Sequence, residues 1–154
     1  MTTVEALTAQ FEALGVSDPQ SWAKSQIKEG IDQIGRATVL RAMADMVTES
    51  SARSSVGSPH VSEAVRAAAE RIDASGVAWD DVELLVKSEI WEAFFDMLAM
   101  LAGSREIAVN PGEVNFGLFR TDEYGEQPSE DINMLHESWR EVACSVLGRD
   151  VVEY

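Results

Sequence analysis

The longest helical pattern in the chain is DDVELLVKSEIWEAFFDMLAMLAG, at positions 80–103. Apolar residues recur there at spacings of three and four, Asp80 or Asp81 can act as N-cap, and Gly103 marks the end. Bulky side chains on the flanking faces leave only a narrow polar stripe. The stripe consists of Ser88, Glu89, Glu92 and Asp96. The pattern therefore predicts a long central helix that other helices nearly surround.

Helical patterns also flank this central segment on both sides. The same spacing of apolar residues, with capping residues at the ends, predicts helices over 3–14, from Asp18 to about residue 34, from Ser58 to Gly76 and from Ser129 to Gly148. Residues 31–48 form a further helix or a bent continuation of the second one, because glycines at 30 and 35 allow a break. These patterns indicate five or six helices in all.

Two segments lack the helical pattern. Residues 49–60 read ESSARSSVGSPH, a serine- and glycine-rich composition that is typical of a flexible surface loop. Within residues 104–127, the sequence Asn110-Pro111-Gly112 indicates a turn, and residues 113–121 fit short extended structure or a hairpin. The expected fold is mainly α, a single domain over 1–154 built as an irregular helix bundle with this extended or hairpin insertion near 113–121.

Composition restricts the compartment in which the protein works. Cys144 is the single cysteine, so no intramolecular disulfide can form and nothing indicates an oxidising environment. Glu5 and Glu12 precede any basic residue, which is the wrong charge for a secretory signal. No apolar stretch approaches the roughly 20 residues of a membrane span. We expect a cytoplasmic protein without a membrane partner.

The charge is strongly negative and unevenly distributed. The net charge is −15, and residues 78–154 contribute 17 acidic and 5 basic residues against 10 acidic and 7 basic in residues 1–77. Phosphate backbones and anionic lipids repel such a chain. We therefore expect no direct binding to nucleic acid.

The densest charge lies in residues 122–131, which contain five acidic residues, a tyrosine and no base. One interpretation is an acidic loop that favours the start of the next helix through the helix dipole. The other is a docking surface, since clustered acids attract a basic protein and an aromatic side chain anchors it. Inhibitor and immunity-type proteins work in this way. The predicted contact residues are Asp122, Glu123, Tyr124, Glu126, Glu130 and Asp131.

Two alternatives from other classes remain open. Glu89, Glu92 and Asp96 share one side of a helix, so together with His136 they could form the metal site of a small helical enzyme. The chain has no Glu-x-x-His, His-Glu-x-x-His, Gly-x-Ser-x-Gly, phosphate-binding glycine loop or Cys-x-x-Cys motif, so we assign no catalytic residue and expect no cofactor. The second alternative is a structural subunit that completes its apolar faces in a homo-oligomer.

Overall fold

A computed structural model describes residues 3–101, Leu118, Ile132 and 135–148. These residues form seven helices and no strand, which confirms a mainly α fold. The helices are α1 (Val4–Ala13), α2 (Pro19–Glu29), α3 (Gln33–Glu49), α4 (Ala52–Val56), α5 (Glu63–Ser75), α6 (Trp79–Leu101) and α7 (Leu135–Leu147). No helix in the described ranges is both long enough and apolar enough to cross a membrane.

The helix that was not predicted is α4, which lies inside the segment predicted as a flexible loop. Its N-cap is Ser51, whose hydroxyl accepts a hydrogen bond from Ser54 N at 3.1 Å. The carboxylate of Glu83 on α6 accepts two more, from Ala52 N at 3.0 Å and from Arg53 N at 3.1 Å. The prediction of five or six helices was therefore too low, because a distant carboxylate supports a helix that composition alone does not favour.

Nothing in the structure supports the predicted extended or hairpin insertion. Residues 113–121 lie outside the described part of the chain except for Leu118. The carbonyl of Leu118 accepts a backbone hydrogen bond from Ile132 N at 2.8 Å. Ile132 is buried in the main core and Leu118 packs against it. This contact fixes two points of the segment between α6 and α7 on the bundle.

Helix boundaries follow capping chemistry more closely than composition. Asp18 caps α2, as predicted, and accepts a hydrogen bond from Ser21 N at 3.0 Å. Thr3 caps α1, which agrees with the helix predicted from residue 3, and Ser62 caps α5, which was predicted to begin at Ser58. In α5 the side chain that reaches the free N–H groups therefore lies later in the chain than the first candidate.

The main core lies where α3, α6 and α7 pack together. Trp139 on α7 is fully buried, contacts Phe94 edge to face with ring centres 6.0 Å apart, and donates its indole N–H to the carbonyl of Trp91 at 3.3 Å. The buried members are Leu40, Met43, Ala44, Trp91, Leu98, Ile132, Leu135, Trp139, Val142 and Ala143. This core joins α7 to the middle of the predicted central helix.

A second, smaller core joins α1 and α2 to α3. Phe11 is fully buried and contacts Trp22 edge to face, with ring centres 5.7 Å apart. The other buried members are Leu7, Val16, Ala23 and Ala37. Trp22 packs against both cores, so it connects the α1–α2 pair to the rest of the bundle.

Trp79, the first residue of α6, connects this helix to α4 and α5. Its indole N–H donates to Asp73 Oδ1 on α5 at 2.7 Å, and the guanidinium of Arg53 on α4 lies 5.7 Å from the centre of its ring. A hydrogen bond from an indole and a contact between a cation and an aromatic ring each contribute stabilising free energy to the packing of surface helices. Trp79 therefore positions α5, of which only Ala69 is buried.

Glu83 makes the docking of α4 depend on pH. Hydrogen bonds from Arg53 N, Ala52 N and the Ser51 hydroxyl lower the pKa of Glu83 below its usual 4.5, and the positive charge of Lys87 adds to this effect. Because the folded state binds the proton more weakly than the unfolded chain, the stabilisation is present above the unfolded pKa and is lost as pH falls through the lowered pKa.

We predict that Glu83→Ala weakens this contact by about 1 kcal/mol, the usual value of a helix N-cap. Amide hydrogen exchange at Ala52 and Arg53 measures the effect, with Glu49→Ala, an exposed residue outside the contact, as the control. At pH 6 the amides of Ala52 and Arg53 should be less protected in Glu83→Ala than in Glu49→Ala, and in acid the protection in the two variants should become equal. Equal protection at pH 6 would contradict the prediction.

Candidate functional site: a polar cleft between α2 and α7

The described part of the chain contains a polar cleft of about 350 Å³ between α2, the start of α3, and α7, here called the α2–α7 cleft. Two glutamates and a serine on α7 face serines, a tryptophan and a glutamate on α2. The lining residues are Ser21, Trp22, Ser25, Glu29, Ile31, Gln33, Arg36, Glu137, Ser138 and Glu141. Its volume is at the lower end of the range for small-ligand sites in proteins.

The cleft exists because the first turn of α3 is polar although it is buried. Asp32 is 5% exposed and caps α3 by accepting a hydrogen bond from Gly35 N at 3.0 Å. A β-carbon at Gly35 would lie 2.5 Å from Asp32 Oδ2, so only glycine lets the cap approach this closely. This cap sets the start of α3, from which Gln33 reaches Ser25 on α2 and Arg36 reaches Ser138 on α7.

Arg36 is a buried cation in the wall of the cleft. It is 5% exposed, and its Nη1 donates to Ser138 Oγ at 3.4 Å. Burial lowers the pKa of Arg36, while the negative charges of Glu137 and Glu29 act in the opposite direction. The surrounding carboxylates thus offset part of the cost of burying the guanidinium.

Gln33 has an unsatisfied acceptor atom in the wall of the cleft. It is 5% exposed, and its Nε2 donates to Ser25 Oγ at 2.9 Å. Its Oε1 is buried and has no hydrogen-bond donor among the residues that the structure describes. A buried acceptor of this kind is uncommon in folded proteins, because it loses its bonds to water without replacement.

The rim of the cleft is acidic. Glu29, Glu137 and Glu141 are exposed and line it from α2 and α7. Glu141 also accepts a hydrogen bond from the hydroxyl of Ser17, which joins α7 to the turn before α2. With Arg36 as the one base in the lining, the cleft carries three carboxylates against one guanidinium.

No similar protein identifies this arrangement. No protein-family model, curated protein or solved structure matches the chain. The function has to be inferred from the charges and contacts of the chain itself.

The six residues predicted to contact a partner lie outside the described part of the chain. They are Asp122, Glu123, Tyr124, Glu126, Glu130 and Asp131. Their role as a docking surface therefore stays a prediction.

The alternative metal site is not assembled in the described part of the chain. No three side chains of histidine, cysteine, aspartate or glutamate converge there in a way that could hold a metal ion. His136 is half-buried and contacts Phe95 edge to face, with ring centres 6.2 Å apart. Glu89 and Asp96 are exposed on α6. Helical spacing placed the carboxylates on one helix correctly, but it could not bring ligands from other helices to them.

Sequence analysis missed Gln33 and Arg36. The signal was present, because the polar sequence Asp32-Gln33 and then Arg36 interrupt an apolar pattern that includes Ile31, Ile34 and Ala37. Polar residues at such positions are usually solvated, so the pattern alone did not distinguish a buried cleft from a helix surface.

Proposed function

We propose that the protein is an acidic interaction module that binds a basic protein, with an inhibitor or immunity-type protein as its most concrete form. Such a protein needs no chemistry of its own, because it acts by covering a cationic site on its partner. The predicted contact surface is the acidic segment 122–131, and the charges of the described residues support the same kind of partner.

The observation that carries the proposal is the charge distribution on α6. This helix contains six carboxylates and a single base, Lys87. The ammonium group of Lys87 donates to the carbonyl of Thr48 at 3.1 Å, and Glu83 is directed to the start of α4. Asp81 and Glu89 are exposed, and their helix has no second base. Potentials of this kind speed association with a basic protein and select against acidic ones.

The acidic rim of the α2–α7 cleft extends this character to α2 and α7. Glu29, Glu137 and Glu141 are exposed, so a basic partner meets carboxylates on more than one side of the bundle. Acidic surfaces also serve solubility alone, and a binding experiment separates the two roles.

The experiment is affinity capture followed by direct binding between purified components. The native chain is compared with a loop variant, in which Asp122, Glu123, Glu126, Glu130 and Asp131 are replaced by their amides. A second variant carries Glu89→Gln, Glu92→Gln and Asp96→Asn on α6. The control carries Glu5→Gln, Glu12→Gln and Glu70→Gln, which neutralises three carboxylates on α1 and α5, the same number as in the α6 variant.

We expect the native chain and the control to bind one basic protein, the loop variant to lose most of that affinity, and the α6 variant to bind more weakly than the control. Binding should weaken between 0.15 and 1 M salt, because the screening length falls from about 8 Å to about 3 Å. Equal loss in the control, or a partner bound independently of salt, would overturn the proposal.

A homo-oligomeric subunit is the second candidate. Leu85 on α6 is 68% exposed, and Val65 on α5 and Val77 in the connection from α5 to α6 are about half exposed. A patch of several exposed apolar side chains indicates an interaction surface, whereas isolated ones do not. Sedimentation as a monomer at every accessible concentration would exclude this candidate.

A further inference from the structure

We propose that the α2–α7 cleft receives the charged end of a lysine or arginine side chain of the basic partner. This inference rests on the proposed function and names the chemistry that the partner presents at this site. It is supported by an unsatisfied acceptor, by the charges of the lining and by the size of the cleft.

The unsatisfied acceptor is Oε1 of Gln33. The Nε2 group of Gln33 donates to Ser25 Oγ, so the oxygen is the end of this amide that has no donor in the described chain, and Gln33 lines the cleft. A bound group that satisfies this oxygen must be an N–H or O–H donor. Ammonium and guanidinium groups carry several such donors and no acceptor.

The charges of the lining favour a cation over an anion. Glu29, Glu137 and Glu141 outnumber Arg36, and Arg36 already donates to Ser138. An entering carboxylate or phosphate would meet three like charges and an unpaired acceptor oxygen. An entering ammonium or guanidinium group meets opposite charges, and hydrogen bonds to ionised carboxylates are stronger than neutral ones.

The shape and remaining lining fit one side chain. A volume of about 350 Å³ accommodates the end of a lysine or arginine but not a helix. Trp22 lines the cleft and supplies an aromatic ring, which attracts cations and packs against the methylene groups of either side chain. Ser21 and Ser25 add hydroxyl acceptors on the α2 side.

The test uses four blocked tripeptides that differ only in their central residue: acetyl-Gly-X-Gly-amide, with lysine, arginine, glutamine or glutamate as X. Each is titrated into the full chain and followed by NMR at the indole N–H of Trp22 and the side-chain amide of Gln33. The double variant Glu29→Gln, Glu137→Gln removes two exposed carboxylates of the rim. Its control is Glu89→Gln, Glu92→Gln, which removes two carboxylates from α6.

We expect the lysine and arginine peptides to shift both signals with affinities on the order of 1 mM, as for a single anchoring group. The glutamine and glutamate peptides should leave them unchanged. The rim variant should weaken binding at least about tenfold and the α6 control should not, because only the rim carboxylates face the cleft. Gln33→Leu, which removes the acceptor, should also weaken binding.

Two results would overturn the inference. One is binding of the glutamate peptide at this site, which would make Arg36 the recognising group and an anion the ligand. The other is that the rim variant and Gln33→Leu bind the cationic peptides as tightly as the native chain does. Failure of the proposed function looks different: the peptides would bind in the cleft, yet no basic protein would bind the native chain. Conversely, the basic protein could bind the native chain and lose affinity only for the loop variant, while none of the peptides shifts the signals of the cleft. That result would uphold the proposed function and reject this inference.

Discussion

Replacing Trp139 by alanine is expected to reduce the free energy of unfolding by about 3–5 kcal/mol, the usual range for a large aromatic residue in a core. Trp139 is 0% exposed, contacts Phe94 and donates its indole N–H to Trp91 O. The substitution therefore opens a cavity between α6 and α7 and removes the hydrogen bond from the indole N–H to Trp91 O. Since domains of this size are stable by about 5–15 kcal/mol, the loss is a large part of the total.

Denaturant unfolding, monitored by circular dichroism, measures this effect. Leu85→Ala is the control, because Leu85 lies on α6 with its side chain 68% exposed, and surface substitutions usually change stability by less than about 0.5 kcal/mol. Trp139→Phe should fall between the two, since it keeps an aromatic ring against Phe94 but loses the indole N–H. A similar midpoint for Trp139→Ala and Leu85→Ala would show that α7 does not complete the core.

The central helix was predictable because its signal is local. Apolar spacing over residues 82–101 and two aspartates at its start are properties of a single segment, and the structure has α6 at Trp79–Leu101. The glycine that ends α5 was equally readable, whereas the second helix was expected to continue to about residue 34 and ends at Glu29, before Gly30. Gly30 and Gly76 have φ values of 69° and 75°, a left-handed conformation that glycine adopts at little cost.

What the sequence could not show depends on contacts between distant residues. Glu83 and the start of α4 are separated by about thirty positions, so no local pattern indicated that a serine-rich segment would become helical. The α2–α7 cleft depends even more on contacts between residues that are distant in the sequence. Its wall needs Gln33 from α3 and Glu137 from α7, about one hundred positions apart, and only the packing of α3 on α7 brings them together.

Replacing Phe11 by alanine is expected to cost a similar free energy, about 3–5 kcal/mol, but to act on a different part of the molecule. Phe11 is 0% exposed and lies in the second core, against Trp22. Ala37 is the buried member of that core from α3. The α1–α2 pair should therefore open before the main core, because its stability rests on the smaller of two clusters.

Amide hydrogen exchange distinguishes such local opening from global unfolding. In Phe11→Ala, protection should fall most in α1 and α2, whereas in Trp139→Ala it should fall in all helices together. Ile27→Ala is the control on α2, because Ile27 is 50% exposed and belongs to neither core. Uniform loss of protection in Phe11→Ala would mean that Trp22 couples the two cores into one cooperative unit. In that case, binding at the α2–α7 cleft, which Trp22 also lines, would stabilise the whole bundle and not α2 alone.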